Sequence, residues 1–457
     1  MRKLLFTAAV SVLALGASAQ QITEKELKEI QSSFVLDSNT RALQNILTGE
    51  ANLKKMALNH QLTDQIDHYF KYKVDVKGIT NQYSSGRCWM FTSMNVLRPL
   101  VMKKLNIDEF DFSHNYNYFW DIFEKCNLFL SNAIATADRD MMDRDVDFYF
   151  KNPIGDGGVW NLFYNVASKY GVVPQSVMPE TAHSNNTRQM RTVLNERMRA
   201  GGYKLRTMIA DKKSQKEVAA EKTAIMKDVY RVLSLCLGVP PTEIDWRYTD
   251  KNGEVKTLKT TPIEFFKQIV PENYNPEQYI MIMNDPLRPY YKVYEVQNYR
   301  NTYEGVNWVY LNLPNDAIKK AALASIKANE AMYASSDVLM FDSKEGVCHP
   351  KKYDYESLLG IDLSMDKKAR ILTRQSASAH AMTLMAVDTD ENDKPVKWQF
   401  ENSWGRDAGH NGYMTFTDEW FSEYMFRIVI NKNYLDSKSI KASKTKPVQL
   451  PAWDYMF

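Results

Sequence analysis

The chain has 457 residues, of which 44% are hydrophobic and 25% are charged. This is an ordinary globular composition, long enough for a sizeable core and one to three domains. The formal net charge is +3, and removal of Arg2 and Lys3 would leave about +1 (3 minus 2), which is too little to indicate nucleic-acid binding from charge alone.

Residues 1–19 are predicted to be a signal peptide. Arg2 and Lys3 precede an apolar run from Leu4 to Gly16, and Ala17-Ser18-Ala19 offers a small-residue cleavage site. An N-terminal anchor helix is the alternative, but the apolar run is too short to span a bilayer. We therefore expect an exported protein, periplasmic or extracellular.

Residues 20–75 are polar and predict a helical arm that precedes the main fold. From Cys88 a helix is predicted, and Pro99 is expected to end or kink it. Residues 107–175 are dense in aromatic side chains that we expect to pack a core. Between residues 185 and 300 the charge rises, and the pattern predicts an inserted helical subdomain. One helical stripe in that block consists of Val218, Ile225, Val229, Val232 and Cys236.

The pattern changes to strands in the last third of the chain. A helix from Asp316 to about Met332 comes first. Alternation then predicts strands near residues 382–387, 396–401, 413–416 and 427–430. A helix-rich first part and a sheet-rich second part indicate an α+β, two-lobed fold.

The stretch QYSSGRCWMF, residues 82–91, places a cysteine at the start of a predicted helix. There the helix macrodipole and the unpaired N–H groups stabilise a thiolate, so we expect Cys88 to be a nucleophile with a lowered pKa. The backbone N–H of Cys88 and the side chain of Gln82 are the expected donors to an oxyanion.

A distant histidine is the expected base. His380 opens a predicted strand, and Asn402 closes the neighbouring one, so the two side chains can meet and Asn402 can fix the imidazole tautomer. Trp404 could cover that hydrogen bond. Each signal alone is weak, because a single cysteine or histidine is more often a packing residue. The combined order Gln…Cys-Trp…His…Asn-Ser-Trp-Gly indicates a papain-type cysteine peptidase.

Gly86-Arg87-Cys88-Trp89 resembles the Gly-Arg-Cys-Trp of the bleomycin hydrolase and aminopeptidase C family. Five further stretches are similar to that family: NVLRP after the nucleophile, residues 112–127, 155–174, 284–296 and 401–421. The resemblance implies that Cys88 is the nucleophile, His380 the base, Asn402 its orienter and Gln82 an oxyanion donor.

The resemblance further implies a papain-like core with a helical hook insertion, assembly into homohexamers, peptide substrates, and no metal or organic cofactor. The expected boundaries are 1–19 (signal peptide), 20–75 (arm), 76–184 (lobe with Cys88), 185–300 (hook), 301–445 (lobe with His380 and Asn402) and 446–457 (tail in the cleft). Metal binding is also disfavoured by the residues themselves, since no CxxC or HExxH pattern occurs. We expect no disulfide among Cys88, Cys126, Cys236 and Cys348.

Two residues depart from the family pattern: Ala379 replaces the usual threonine, and Cys126 replaces the usual serine. The export signal is a third departure, because most members of the family are cytosolic. The tail departs most, because Trp453, Asp454 and Met456 match while the tail stops about three residues early. A family tail places its carboxylate against the substrate's amino group. A shorter tail predicts a more open cleft, with release of di- or tripeptides or internal cleavage. Alternatively, Phe457 fills that space and contacts substrate, so that single residues are released.

The leading hypothesis is therefore a secreted cysteine peptidase acting near the N-termini of peptides through a thioester. An oligopeptidase or endopeptidase of the same family is the nearest alternative. A hexameric nucleic-acid-binding or scaffold protein is the alternative from another class. The four intact residues Gln82, Cys88, His380 and Asn402 argue against it, and so does the near-neutral charge.

Overall fold

The computed structural model describes residues 21–75, 78–338 and 346–456, so the predicted signal peptide and Phe457 lie outside the described residues. The chain divides into two compact units. One comprises the described residues up to Leu58 together with Tyr353–Asp362, and the other comprises Asn59–Lys352 and the chain from Leu363 onward.

The smaller unit is helical. It contains α1 (Glu24–Ser33), α2 (Ser38–Gly49), α3 (Leu53–Met56) and α14 (Tyr355–Leu359). Thr23 and Glu26 form a reciprocal capping box at the start of α1, which satisfies two N–H groups that the helix leaves unpaired. The helical character predicted for this part of the 20–75 segment is confirmed.

The first part of the larger unit is rich in helices. They are α4 (His60–Thr63), α5 (Cys88–Leu105), α6 (His114–Ala135), α7 (Arg144–Lys151), α8 (Trp160–Tyr170), α9 (Ala182–Asn185), α10 (Arg188–Ala210), α11 (Gln215–Leu237) and α12 (Pro262–Ile269). Helix α10 packs against both α6 and α11. Many aromatic residues of the 107–175 segment are buried, including Tyr118 and Phe119, so the predicted aromatic core is confirmed.

Two helices differ in detail from the predictions. Helix α5 continues six residues beyond Pro99 to Leu105, because Leu97 and Val101 on either side are buried in the core and their packing offsets the one hydrogen bond that proline cannot make. In α11 the buried stripe is Val218, Ile225, Val229, Leu233 and Leu237. The predicted stripe was right for its first three positions, whereas Val232 and Cys236 are partly buried beside the core.

Within the described residues, most strands join one mixed sheet of eleven. Its order is β13-β5-β6-β4-β12-β7-β9-β10-β11-β8, and β1 pairs with β9. A separate hairpin is formed by β2 and β3. The bounds are β1 (Tyr72–Lys73), β2 (Ile244–Thr249), β3 (Val255–Thr260), β4 (Tyr279–Met283), β5 (Lys292–Val296), β6 (Trp308–Asn312), β7 (Met332–Ser336), β8 (Val347–Cys348), β9 (His380–Thr389), β10 (Pro395–Glu401), β11 (Tyr413–Thr417), β12 (Met425–Asn431) and β13 (Val448–Leu450).

The helix predicted from Asp316 to about Met332 is too long. The observed helix α13 is Asn315–Lys327, and Met332 instead begins β7. The remaining helices are α15 (Lys367–Leu372), α16 (Asp418–Tyr424) and α17 (Ser437–Ser443). In the described part of the chain, no helix has the length and hydropathy needed to cross a membrane.

Helix α5 packs directly on strand β9, which lies between β7 and β10 in the sheet. The first eight residues of β9 are buried, so both faces of this strand are covered. The helix that begins at Cys88 therefore rests on the strand that begins at His380. The α+β class is confirmed, with helices concentrated before residue 270 and most of the sheet after it.

Candidate active site

Cys88 is the first residue of α5, where the sequence predicted it. Arg87 precedes it without a side-chain cap, and the carbonyl of Arg87 accepts hydrogen bonds from Met90 and Phe91. The first N–H groups of the helix thus have no side chain capping them, which leaves them available to a charge at the thiol.

The loop before Cys88 is fixed by Asp156. The N–H of Gly86 donates to Oδ2 of Asp156 at 2.7 Å, and the indole of Trp89 donates to its backbone carbonyl at 2.8 Å. A Cβ atom added at Gly86 would lie 2.5 Å from Oδ1 of Asp156, so this close approach requires glycine. Burial opposes ionisation of Asp156, but hydrogen bonds from Thr187 and Gly86 and the charge of Arg191 hold its pKa below the usual value.

The thiol itself does not have the lowered pKa that the sequence predicted. Burial raises the pKa of Cys88 to about 11, and this outweighs backbone hydrogen bonds from Ala381 and Trp89 that favour the thiolate. The reason is that a helix terminus supplies only a partial charge, whereas desolvation acts on the whole thiolate. Ionisation at neutral pH therefore needs a neighbouring group that accepts the proton and remains beside the sulfur as a cation.

His380 and Asn402 meet as predicted from their strands. Nε2 of His380 lies 2.8 Å from Oδ1 of Asn402, and both residues are buried. Strands β9 and β10 are antiparallel with Glu401 opposite Thr383, so the start of β9 and the end of β10 lie side by side. Oδ1 also accepts from the N–H of Ser403 at 2.7 Å, which fixes it as an acceptor toward the imidazole. The proton then resides on Nε2, and Nδ1 is left as the basic nitrogen.

Trp404 stacks on the imidazole. The ring centroids of His380 and Trp404 lie 4.5 Å apart with planes inclined by 29°. The indole covers one face of the imidazole, and both His380 and Asn402 are buried. Burial strengthens their hydrogen bond because the local dielectric is low.

Gln82 is buried next to the same loop. Its Oε1 accepts from the hydroxyl of Ser403 at 2.7 Å, and its Nε2 donates to the carbonyl of Ser85 at 2.6 Å. The two contacts fix the orientation of the amide. An amide has two N–H donors, so one remains for a second acceptor.

A cavity of about 1100 Å³ brings the predicted residues together. Its lining includes Gln82, Cys88, His380 and Trp404, whereas Asn402 lies behind the imidazole. Ala452 of the C-terminal segment lines the same cavity. The predicted substrate contact of Phe457 lies outside the described residues.

The C-terminal segment is anchored on both sides of Ala452. Strand β13 pairs in parallel with β5, and Asp454 forms an ion pair with Arg288. Met456 is buried, and its carbonyl lies 3.5 Å from Nη2 of Arg427. These contacts hold the segment against the wall of the cavity.

Sequence reasoning missed the residues that support the nucleophile from behind. Asp156 was noticed only within the matching stretch GDGG, and its side chain received no role. Arg87 is fully buried, forms an ion pair with Glu180 at 2.9 Å and stacks near Phe91 and Tyr118. A charged residue next to a predicted nucleophile was the available signal, but its partner, 93 residues later, could not be read from spacing.

All four cysteines of the chain have free thiols. No disulfide joins Cys88, Cys126, Cys236 and Cys348, which are all among the described residues, and Cys126 is fully buried in the core. Within the described ranges no group of three His, Cys, Asp or Glu side chains is arranged to hold a metal ion.

Comparisons with known proteins identify the family to which the chain is similar. A model of the Peptidase C1-like family matches residues 21–457. Human bleomycin hydrolase is 38% identical over 435 residues, which covers 93% of this chain and 94% of that protein. Aminopeptidase C of Lactobacillus delbrueckii subsp. lactis is 37% identical over 409 residues, covering 88% and 90%. The crystal structure of PepW from Lactobacillus rhamnosis HN001 superposes with a TM-score of 0.91 at 34% identity, covering 96% of this chain and 99% of that one.

Proposed function

The chain belongs to the Peptidase C1-like family and is a cysteine peptidase related to bleomycin hydrolase and aminopeptidase C, and from this we propose that it hydrolyses peptide bonds near the N-termini of peptides through a thioester on Cys88. The observation that carries the proposal is the contact between His380 and Asn402 at the edge of the cavity that Cys88 lines.

The first half of the reaction forms the thioester. Nδ1 of His380 takes the proton of the Cys88 thiol, and the sulfur attacks the scissile carbonyl carbon. The resulting oxyanion accepts hydrogen bonds from the N–H of Cys88 and from the amide of Gln82. The imidazolium then gives its proton to the leaving amine, the C–N bond breaks, and the thioester remains.

The second half repeats these steps with water. His380 takes a proton from a water molecule, the hydroxide attacks the thioester, and the same donors hold the second oxyanion. The thiolate leaves and is reprotonated as the acid is released. Because burial raises the pKa of the Cys88 thiol to about 11, the sulfur is activated by proton transfer to the imidazole rather than by the helix alone.

Cleavage near the N-terminus is supported by the C-terminal segment. It carries Ala452 into the cavity wall and keeps Met456 buried beside Arg427. A segment in this place restricts how much peptide can extend through the cavity. We therefore expect the enzyme to release one to three residues from the N-terminus of a peptide. If the C-terminal segment leaves the cavity open, the enzyme should instead cleave peptides internally.

Matched fluorogenic peptides test the proposal. One set has a free N-terminus and one to three residues before the reporter, and the other set is N-acetylated. We expect cleavage of the free peptides under mild reductant, and its loss in Cys88→Ala. Cys236→Ala is the matched control, because this half-buried cysteine lies on α11 away from the cavity lining.

The two sets separate the candidate modes. Equal cleavage of acetylated and free peptides would replace the N-terminal mode by an endopeptidase mode. Cleavage that survives Cys88→Ala would overturn the thioester mechanism. Trapping the acyl-enzyme at low pH and weighing it by mass spectrometry detects the thioester directly.

Export and hexamer formation are parts of the same proposal. The basic and apolar N-terminal pattern supports export with cleavage after Ala19. N-terminal sequencing of the mature protein should begin at Gln20, and a mature chain that begins at residue 1 or 2 contradicts export. Light scattering after gel filtration should give six times the mass of one mature chain.

A further inference from the structure

The charges that line the cavity are unbalanced. Asp156 is the one acidic side chain among the described lining residues, and it is already held by Gly86 and Thr187. Six basic side chains line the same walls: Lys125, Lys151, Arg188, Arg191, Arg300 and Arg427. Such a cavity attracts anions, because low-dielectric walls concentrate the field of like charges.

Arg427 differs from the other five in being buried, with 4% of its surface exposed. Among the described residues no carboxylate forms an ion pair with it, and the C-terminal carboxylate on Phe457 lies outside them. Lys125 and Arg191, by contrast, pair with Asp121 and Asp156. A buried guanidinium without a counter-charge is costly, so the site favours an incoming anion.

Among the described residues, the groups around Arg427 include hydrogen-bond donors but no carboxylate acceptor. Its guanidinium stacks on Trp308 at 4.2 Å from the ring centroid, and within the described part of the chain Nη2 lies 3.5 Å from the carbonyl oxygen of Met456. Nε of Arg427, the indole N–H of Trp308 and the hydroxyl of Tyr333 are all buried without a hydrogen-bond partner among the described residues. An indole N–H and a guanidinium can only donate, so these groups need an acceptor.

Strand register places these groups together. Arg427 on β12 lies opposite Ser335 on β7, and Val429 lies opposite Tyr333, so Arg427 and Tyr333 are diagonal neighbours on one face of the sheet. Burial lowers the pKa of Arg427, and nearby Tyr333 and Tyr299 oppose that change. Trp308 and Arg427 both line the cavity that contains Cys88.

We propose that Arg427, with Trp308 and Tyr333, forms a carboxylate-binding pocket that makes this peptidase select substrates with an acidic group close to the scissile bond. The inference rests on the proposed function, since it names the substrate class of the same cavity. A carboxylate fits because it accepts two parallel hydrogen bonds from a guanidinium and supplies the missing charge. An Asp or Glu side chain and the terminal carboxylate of a short peptide share this chemistry.

Binding to the Cys88→Ala protein tests the pocket without requiring catalysis. Three forms of one peptide series are compared by calorimetry: Glu with a C-terminal amide, Gln with a C-terminal amide, and Gln with a free carboxylate. Glu is scanned through the positions flanking the expected scissile bond. We expect one position at which Glu binds on the order of 10- to 100-fold more tightly than Gln, the effect of a buried charge-assisted hydrogen bond.

The second Gln peptide identifies the source of the anion. Tight binding of the free-carboxylate form, with no effect of Glu at any position, would assign the pocket to the terminus of short peptides. Tight binding of the Glu form assigns it to an acidic side chain. Equal binding of all three forms overturns the proposal and leaves the donors of Arg427 to the C-terminal segment.

Variants assign the preference to Arg427. In Cys88→Ala/Arg427→Gln the ratio of affinities for the carboxylate and amide forms should fall to roughly one, and Arg427→Lys should restore part of it because the charge returns without the planar fork. Arg300→Gln is the matched control. It removes a basic lining residue that is held by Asn307 at 3.0 Å, and the ratio should persist. If the affinity ratio falls equally in the Arg427→Gln and Arg300→Gln variants, the preference arises from the overall positive charge of the cavity, and the proposed pocket is wrong.

Tyr333→Phe tests the pocket even if the Arg427 variants fail to fold. It removes one buried oxygen without a partner and should lower the ratio by roughly two- to tenfold. An unchanged ratio excludes Tyr333 from the pocket. Circular dichroism and melting curves show whether each variant is folded.

Cleavage by the protein with Cys88 intact separates the two proposals. Cys88-dependent cleavage of neutral and acidic peptides at equal rates supports the proposed function and contradicts the pocket. A carboxylate preference in binding without Cys88-dependent cleavage of any peptide supports the pocket and contradicts the proposed function.

Discussion

Oδ1 of Asn402 lies 2.8 Å from Nε2 of His380, across the ends of two antiparallel strands. Because the same oxygen accepts from the N–H of Ser403, the amide cannot rotate without losing a second hydrogen bond. The imidazole is held with Nδ1 as the basic nitrogen, the nitrogen that our mechanism uses.

Asn402→Ala should lower kcat on the order of 10²-fold, with a smaller change in KM, because the base loses its fixed tautomer and orientation. Steady-state kinetics on a free N-terminal peptide measure this effect. Asn402→Asp is the comparison variant, since it keeps an oxygen that can accept from Nε2 of His380 and should retain more activity than Asn402→Ala. An unchanged kcat in Asn402→Ala would exclude the residue from the mechanism.

Gln82→Ala should lower kcat by roughly 10²- to 10³-fold, as expected when an oxyanion donor is removed. Gln82→Glu retains the shape but replaces the donor by a carboxylate and should be at least as severe. A transition-state analogue with an aldehyde group should lose affinity in step with kcat, whereas substrate KM should change little. If KM rises and kcat stays constant, Gln82 binds substrate only in the ground state.

Thiol alkylation reports the proton transfer from Cys88. In His380→Ala the thiol must ionise alone, and burial raises its pKa to about 11, so the rate with iodoacetamide should be low at neutral pH and rise up to strongly alkaline pH. In the protein with His380 intact, the rate should be high near neutrality. Identical pH profiles in both proteins would show that the imidazole does not accept the proton.

Gly86→Ala should destabilise the loop before Cys88, because the new Cβ would lie 2.5 Å from Oδ1 of Asp156. Overpacking of this kind costs typically ~1–3 kcal/mol. The same substitution should cost much less in an Asp156→Ala background, where the clash is absent. A double-mutant cycle with urea unfolding measures the coupling, and additive costs would contradict a direct clash.

Glu401 gives the protein a stability that depends on pH. Burial raises its pKa from 4.5 to about 7, although Arg98 lies 2.6 Å away and favours the ionised form. Between these two pH values the folded protein keeps a proton that the unfolded chain releases, so the free energy of unfolding should fall as pH rises from 4.5 to 7 and then level off. Glu401→Gln should lack this component. Urea unfolding from pH 5 to 8 compares the two, and parallel curves would contradict the assignment.

The sequence predicted those parts of the site that combine a residue type with a local pattern. Cys88 before an apolar helix, His380 at the start of a strand and Asn402 at the end of another are all local signals. The predicted end of α13 was too late, because no residue between Lys327 and Met332 clearly stops a helix in the sequence. In the structure the helix ends at Lys327, and Met332 begins strand β7. Asp156 and Glu180 were missed because their partners are distant in sequence and no periodicity links them.

Arg427 shows the same limit. An arginine in a strand that is otherwise apolar was visible in the sequence, but nothing nearby indicated which way its side chain pointed. Strand order decides this, and the order of an eleven-stranded sheet is not contained in any local pattern. That no carboxylate of the described residues pairs with the guanidinium could be recognised only from the three-dimensional structure.

The lining of the cavity combines residues from Gln82 to Ala452. The ribosome makes Cys88 first, His380 much later and Ala452 later still. A growing chain therefore carries its thiol long before it has a base or a finished wall, and contacts so distant in sequence form slowly. Until the C-terminal residues that line the cavity are synthesised, the nascent protein has no complete active site with which to cleave itself or neighbouring chains.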